Sequence, residues 1–214
     1  MNEAITHVVL LSLEISSGAT VAASVLGLPI GAALAMRRFP GRFGVIVVVN
    51  ALLGLPPVVV GLALYVLLSR AGPLGALGLL FTPGAMLLAQ TLLALPIVIA
   101  LAHRAASGVW REFGDELRIV GAGPPVSVLT VLAIGREAML TAVLAAFGRA
   151  ISEVGAIIIV GGNIGGATRT MTTSIVLETT KGNLGDALSL GAALIAISLA
   201  VSGAAFAMAG RAAR

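Results

Sequence analysis

Long apolar runs dominate the pattern of this 214-residue chain, and short charged or glycine-rich segments separate them. A transmembrane helix needs about 20 apolar residues. Five runs approach or exceed that length, at residues 5–36, 45–68, 86–102, 138–160 and 184–208. None of them alternates strictly between apolar and polar residues as a membrane β-strand does. The pattern therefore predicts an all-α membrane protein, with about five transmembrane helices forming one domain over residues 1–214.

The composition supports this prediction. Hydrophobic residues make up 58% of the chain, charged residues only 10%, and the mean hydropathy is +1.10. A soluble domain carries about 25% charged residues. A net charge of +4 could indicate nucleic-acid binding, but the arginines lie at the ends of the apolar runs. We therefore expect the lipid bilayer as the main environment and no nucleic-acid partner.

The distribution of basic residues predicts the orientation. One side of the predicted bundle carries nine arginines and the other side carries three basic residues. The first set is Arg37, Arg38, Arg42, Arg104, Arg111, Arg118, Arg136, Arg211 and Arg214, and the second is Arg70, Arg169 and Lys181. Because basic residues concentrate in cytosolic loops, we expect the N-terminus outside and the C-terminus in the cytosol of a cell-membrane protein.

A polar segment at residues 112–134 lies between the third and fourth runs, on the arginine-rich side. It places Asp115 and Glu116 six and five residues before Gly121, and two prolines follow. Packing between transmembrane helices gives no reason for an acidic turn here. We therefore interpret the segment as a short cytosolic helix that a soluble partner grips, with Gly121 allowing a backbone conformation or a close approach denied to larger residues.

Ionisable residues also occur inside the apolar runs. Arg149 and Glu153 are four residues apart, which places them on one face of a helix, and Glu14 lies in the first run. Charges at membrane depth are costly and usually face the bundle interior or water. The three residues are candidates either for an ion-pair cluster that fixes the first helix against the fourth or for the lining of a transport path.

The segment 163–182 is too polar for a membrane span and too apolar for a free loop. It contains Asn163 and a threonine-rich stretch with Thr172 and Thr173. We predict a short helix at the outer membrane surface, whose hydroxyls meet an oxyanion or simply face water. The chain has no metal-binding pattern such as H-E-x-x-H and no Walker motif. We therefore expect no catalytic residue and no metal or cofactor in this chain, and any ATP to be used by a partner subunit.

The same segments carry a family resemblance. The run from Asp115 to Gly121 and the following Ala-Gly-Pro resemble the E-A-A-x-x-x-G coupling loop of ABC importer permeases. Glu116 and Leu117 replace its two alanines, and Ala133-Ile134 replace its closing Leu-Pro. Residues 147–155, 160–164, 170–173 and 177–182 resemble the tungstate-type permeases in particular, and the molybdate permeases share a looser form of the first of these.

The resemblance implies a type I ABC importer permease fold and a membrane subunit without bond chemistry of its own. It implies a permease homodimer, two cytosolic ATPase subunits that bind Asp115, Glu116 and Gly121, and an extracytoplasmic oxyanion-binding protein. Tungstate is the expected cargo, with molybdate or sulfate as alternatives, and a stand-alone secondary transporter is a rival of another class. In this setting Asn163, Thr172 and Thr173 become candidates for an outer gate. The alternative is that their segment only anchors the fifth helix.

Overall fold

The computed structural model describes the backbone of residues 2–212 and the side chains of residues 6–207. All regular secondary structure in the described part of the chain is helical, which confirms the predicted all-α class. The helices are α1 (Asn2–Met36), α2 (Arg42–Ala51), α3 (Pro57–Leu68), α4 (Pro83–Ile119), α5 (Pro124–Ile134), α6 (Arg136–Ile151), α7 (Gly155–Gly161), α8 (Met171–Thr180) and α9 (Leu184–Ala212).

Three of these helices, α1, α4 and α9, are long and apolar enough to cross a membrane. Two further pairs reach that length together but are bent, α2 with α3 by 100° and α5 with α6 by 81°. Counting each bent pair as one span gives up to five, the number predicted, but the second pair covers residues 124–151 and not the predicted 138–160. The protein is therefore a multi-pass membrane protein in which some spans are interrupted.

The second apolar run, residues 45–68, is not one straight helix. Leu55 and Pro56 have extended backbones, with ψ of 122° and 124°. Each of them precedes a proline, and the proline ring disfavours helical geometry at the residue before it. Pro57 then occupies the first position of α3, where its missing N–H costs nothing. The Pro-Pro pair therefore turns the chain sharply between α2 and α3.

The fourth apolar run, residues 138–160, also departs from the prediction. Helix α6 ends at Ile151 and α7 begins at Gly155, so residues 152–154 interrupt the predicted span. The Glu153 side chain accepts a hydrogen bond from the backbone N–H of Ala156 at 3.0 Å and so caps the start of α7. The hydrophobic pattern could not predict this break, because the residues on both sides of it are equally apolar.

Close contact between α1 and α4 forms the centre of the fold. At Gly31, an added Cβ would lie 2.7 Å from both the Ile99 carbonyl oxygen and the Ala102 Cβ. Ala32, Ala102 and Ala106 are fully buried along the same contact. Small residues allow this close approach, which is how helices commonly associate in membranes. Helix α6 packs against both α1 and α4, and α3 packs against α7.

We expect Gly31→Ala to destabilise the protein by about 1–3 kcal/mol, the usual cost of overpacking a well-packed site. The matched control is Gly44→Ala in α2, where an added Cβ meets no atom within 4 Å. Alanine is the better helix former, so this control should melt at or slightly above the wild-type temperature. Thermal unfolding in detergent measures both variants, and an unchanged melting temperature for Gly31→Ala would contradict the close contact.

Candidate functional site

The acidic residues of the predicted coupling segment lie at the far end of α4. With 37 residues at about 1.5 Å each, this helix is much longer than a hydrocarbon core of about 30 Å, so one end must extend beyond it. Asp115 and Glu116 are exposed on its last turns. They are therefore not on a separate short helix, as the sequence suggested, because α4 continues as one helix from Pro83 to Ile119. The short helix of the segment is α5.

Gly121 ends α4 in a left-handed conformation, with φ of +70°. Its N–H donates to the Arg118 carbonyl at 3.0 Å, and the N–H of Ala122 donates to the Leu117 carbonyl at 3.0 Å. This pair of bonds is the Schellman motif, which satisfies the last carbonyls of a helix and favours glycine. An added Cβ at Gly121 would meet no atom within 4 Å. The requirement for glycine within this chain is thus conformational.

Apolar side chains surround this turn and are exposed in the single chain. Ile119 is 85% exposed and Val120 is 75% exposed, and Val126 and Leu129 of α5 are also exposed. We name these four residues, together with Asp115 and Glu116, the coupling surface. Exposed apolar residues beside charged ones are typical of protein interaction sites. The side chain of Arg118 organises the edge of this surface, since it binds Asp115 at 2.7 Å and lies 5.1 Å above the Trp110 ring.

The Arg149 and Glu153 side chains form the ion pair that their spacing predicted. The Glu153 side chain is only 2% exposed, whereas that of Arg149 is 30% exposed. Glu14 is exposed on α1 and forms no ion pair with any described residue. The predicted pairing of Arg149 is thus confirmed with Glu153. A role of the three residues in a translocation path stays a prediction.

Neighbouring helices donate hydrogen bonds to backbone carbonyls at the break between α6 and α7. Gln90 of α4 donates from its amide to the Ala150 carbonyl at 2.8 Å, and Thr172 of α8 donates from its hydroxyl to the Glu153 carbonyl at 2.8 Å. Buried backbone groups that lose their helical partners need such replacements. Hydrogen bonds from α4 and α8 therefore stabilise the break between α6 and α7. Gln90 was missed at the sequence level, although a lone amide within an apolar run is a visible signal.

The threonine-rich segment forms the predicted short helix, α8, but its first turn does not lie at a surface. Thr172 is 6% exposed and Thr173 is fully buried. Thr170 and Thr173 form a capping box at the start of α8, and the Ser12 hydroxyl of α1 accepts from the Met171 N–H at 2.8 Å. The expectation that the hydroxyls face an oxyanion or water is wrong for Thr172 and Thr173, because they bind backbone groups inside the protein. The place of α8 at the outer membrane surface stays a prediction. The polarity of a residue does not show whether its hydroxyl caps a buried helix or faces water.

Asn163 begins the loop that connects α7 to α8. Its φ of +51° lies in the left-handed region, which asparagine tolerates better than most residues. Its side-chain oxygen accepts from Arg169 Nε at 3.3 Å. Thr168 closes the loop from inside, since its hydroxyl donates to the Gly161 carbonyl at 2.5 Å and accepts from the Ile164 N–H at 3.0 Å. The loop is therefore internally hydrogen-bonded.

Comparison with known proteins places these features in a family. The chain is 44% identical over 196 residues to a probable anion ABC transporter permease protein of Haloferax volcanii, covering 89% of this chain and 84% of that protein. It is 36% identical to the tungstate uptake system permease protein TupB of Peptoclostridium acidaminophilum, covering 91% and 86%. It is 31% identical to the molybdenum transport system permease protein ModB of Escherichia coli K12, covering 91% and 90%. No protein-family model matches the chain.

These three relatives match 89–91% of this chain. The chain belongs to the family of ABC transporter permeases that includes the tungstate and molybdenum permeases, and it is the membrane-spanning subunit of such a transporter.

Proposed function

We propose that this permease imports tungstate. Two tungstate permeases are 36% and 43% identical to the chain over 91% and 72% of its length. The molybdenum permeases are 30–32% identical. Molybdate is the second candidate, and sulfate the third, because all are tetrahedral dianions carried by the same mechanism. The permease itself performs no bond chemistry, and ATP is used by a partner subunit.

The coupling surface is the observation that carries the proposed mechanism. Exposed carboxylates at Asp115 and Glu116 lie beside exposed Ile119 and Val120, and Gly121 fixes the turn. A cytosolic ATPase subunit would bury the apolar side chains in a groove and pair the carboxylates at its rim. Such a surface suits a partner whose movement during its ATP cycle displaces the end of α4. A stand-alone secondary transporter has no need of it.

In the proposed assembly, two permeases form a homodimer between two cytosolic ATPases and an extracytoplasmic oxyanion-binding protein. The N-terminus is outside and the C-terminus is cytosolic. Helix α9 supports a further contact with lipid or protein, because its apolar side chains Leu188, Ile195 and Leu199 are 74%, 63% and 69% exposed. These side chains require either lipid or a second chain to cover them.

Helix α4 provides the proposed mechanical link. It runs without interruption from the coupling surface to Pro83, and along the way Gln90 binds the Ala150 carbonyl beside the helix break. Just before α4, the Phe81 N–H donates to the Val160 carbonyl at 2.8 Å. Movement of the cytosolic end would therefore reach the break and the loop after α7. Closure of the ATPases would switch the permease between inward-open and outward-open states by this route.

Uptake by the complete transporter tests the proposed cargo. The permease, its ATPase and its binding protein would be reconstituted in proteoliposomes, and ATP-dependent uptake of labelled tungstate would be measured against excess molybdate or sulfate. We expect tungstate to enter, and both competitors to reduce its uptake less than unlabelled tungstate does. Uptake that molybdate supports equally would favour the second candidate. Uptake without ATP would favour a secondary transporter.

Single cysteines test the proposed outer gate, because the chain has no cysteine of its own. Thr172 and Thr173 are buried, whereas Ile164 in the preceding loop is 45% exposed. With a membrane-impermeant thiol reagent, we expect low labelling at positions 172 and 173 that changes when ATP is trapped in the complex. A cysteine at position 164 is the control and should react in both states. If labelling at positions 172 and 173 is the same with and without trapped ATP, the segment only anchors α9.

A further inference from the structure

An arginine-lined cavity lies between α2 and the second half of α4, next to the end of α1. Its volume is about 570 Å³, which falls in the range of small-molecule sites of about 300–1,000 Å³. Five arginines line it, and no carboxylate among the described residues does. They are Arg38, Arg42, Arg104, Arg111 and Arg118. A cluster of like charges in one concave site is unfavourable unless an anion occupies it.

The geometry of the cavity holds some of these cations in place. Arg42 donates from Nε to the Leu34 carbonyl at 2.7 Å, and its Nη2 lies 3.2 Å from His103 Nε2. Because an arginine has no acceptor, the His103 nitrogen must accept this bond, which requires a neutral imidazole. Arg111 donates from Nε to the Ser107 carbonyl at 3.2 Å. These contacts direct guanidinium groups into the cavity and consume few of their five donors.

Two arginines of the cavity remain available. Arg38 and Arg104 form no hydrogen bond or ion pair with any described residue. Arg118 binds Asp115, a carboxylate that does not line the cavity and whose side chain is 89% exposed. The cavity therefore has more donors than the chain satisfies. Guanidinium groups bind tetrahedral oxyanions through two parallel hydrogen bonds, and this makes arginine the preferred residue for phosphate.

We propose that this cavity binds a phosphate-like tetrahedral oxyanion group. Two sources carry that group, the headgroup of an anionic lipid and a free oxyanion. The lining favours the lipid, since Ala35, Met36, Ile46 and Trp110 add apolar surface beside the arginines. Basic pockets between transmembrane helices on the cytosolic side are suited to anionic headgroups. Arg118 belongs to both this cavity and the edge of the coupling surface, so an occupied cavity would stabilise the end of α4. The inference does not depend on the cargo.

The test uses the purified full-length permease with two probes. In the first arm, the chain is placed in nanodiscs of phosphatidylcholine with or without phosphatidylglycerol, and bound phosphatidylglycerol is measured by native mass spectrometry. In the second arm, inorganic phosphate and tungstate are titrated against the protein in neutral detergent. The variant Arg38→Gln/Arg104→Gln removes the two arginines without described partners. The matched control Arg37→Gln/Arg70→Gln removes the same charge from residues that do not line the cavity.

We expect the Arg38→Gln/Arg104→Gln variant to bind phosphatidylglycerol about tenfold or more weakly than the control, since each arginine near an anionic lipid contributes about 1 kcal/mol. This result identifies a lipid site. The same sensitivity in the second arm identifies a free-oxyanion site. Arg111→Gln provides an independent variant if the double variant does not fold. Binding that is absent in both arms, or equal in cavity and control variants, overturns the proposal.

Discussion

Replacing Gly121 with valine is expected to abolish anion uptake while the permease remains folded and inserted. The residue has φ of +70°, a conformation that costs an ordinary side chain about 1–2 kcal/mol and a β-branched one more. Valine would therefore unwind the Schellman turn and move Ile119 and Val120 away from their positions at the coupling surface. Uptake should fall more than tenfold, and ATP hydrolysis in the complex should lose its dependence on the permease. Reconstituted uptake and ATPase assays measure both effects.

Two controls separate conformation from bulk. Gly121→Asn retains the turn, because asparagine tolerates the left-handed region, and it should keep a substantial part of the uptake. Gly41→Val imposes the same strain elsewhere, since Gly41 has φ of +83° and no neighbour within 4 Å of an added Cβ. It should leave coupling intact. A Gly121→Val permease with normal uptake would contradict the assignment of the coupling surface, and so would normal uptake by the bulkier Gly121→Trp.

The parts of this fold that sequence reasoning predicted are those that local chemistry determines. Helices α1 and α9 follow from long apolar runs without strong interruptions. The end of α4 follows from glycine and two prolines, and the left-handed Gly121 follows from the special freedom of glycine. The five-span count survives because each bent pair still contains enough apolar residues for one crossing.

The parts that were missed depend on contacts between residues far apart in the chain. At the break at residues 152–154, Gln90 and Thr172 donate from other helices to the Ala150 and Glu153 carbonyls. The buried hydroxyls of α8 look like surface residues until α1 supplies Ser12 as a partner. The arginine-lined cavity likewise brings Arg42 to His103 across 61 positions. Counting arginines by side predicts an orientation, but only the packing of α2 against α4 gathers them into one site.

Removing Arg149 is expected to destabilise the protein by about 3 kcal/mol. Its partner Glu153 is 2% exposed. In Arg149→Ala, the only hydrogen bond left to the Glu153 carboxylate from the described residues would be the one from the backbone N–H of Ala156. Breaking a buried pair from one side costs about 3–5 kcal/mol. The 30% exposure of the Arg149 side chain puts this pair at the lower end of that range. Thermal unfolding and expression level measure the loss.

The other single variant should cost less. In Glu153→Gln the amide oxygen can still accept from Ala156, and Arg149, being partly exposed, can turn towards water. The double variant Arg149→Ala/Glu153→Gln should then be more stable than the sum of the two single losses predicts, because the buried charge is gone. Uptake per folded transporter decides the remaining question. If the pair only fixes the helix break, total uptake falls with the amount of folded protein while uptake per folded transporter is unchanged. If the pair lines the path, Arg149→Ala stays stable and uptake per folded transporter falls. An Arg149→Ala protein that is stable and fully active would contradict both roles, since the break would then need neither the charge nor its partner.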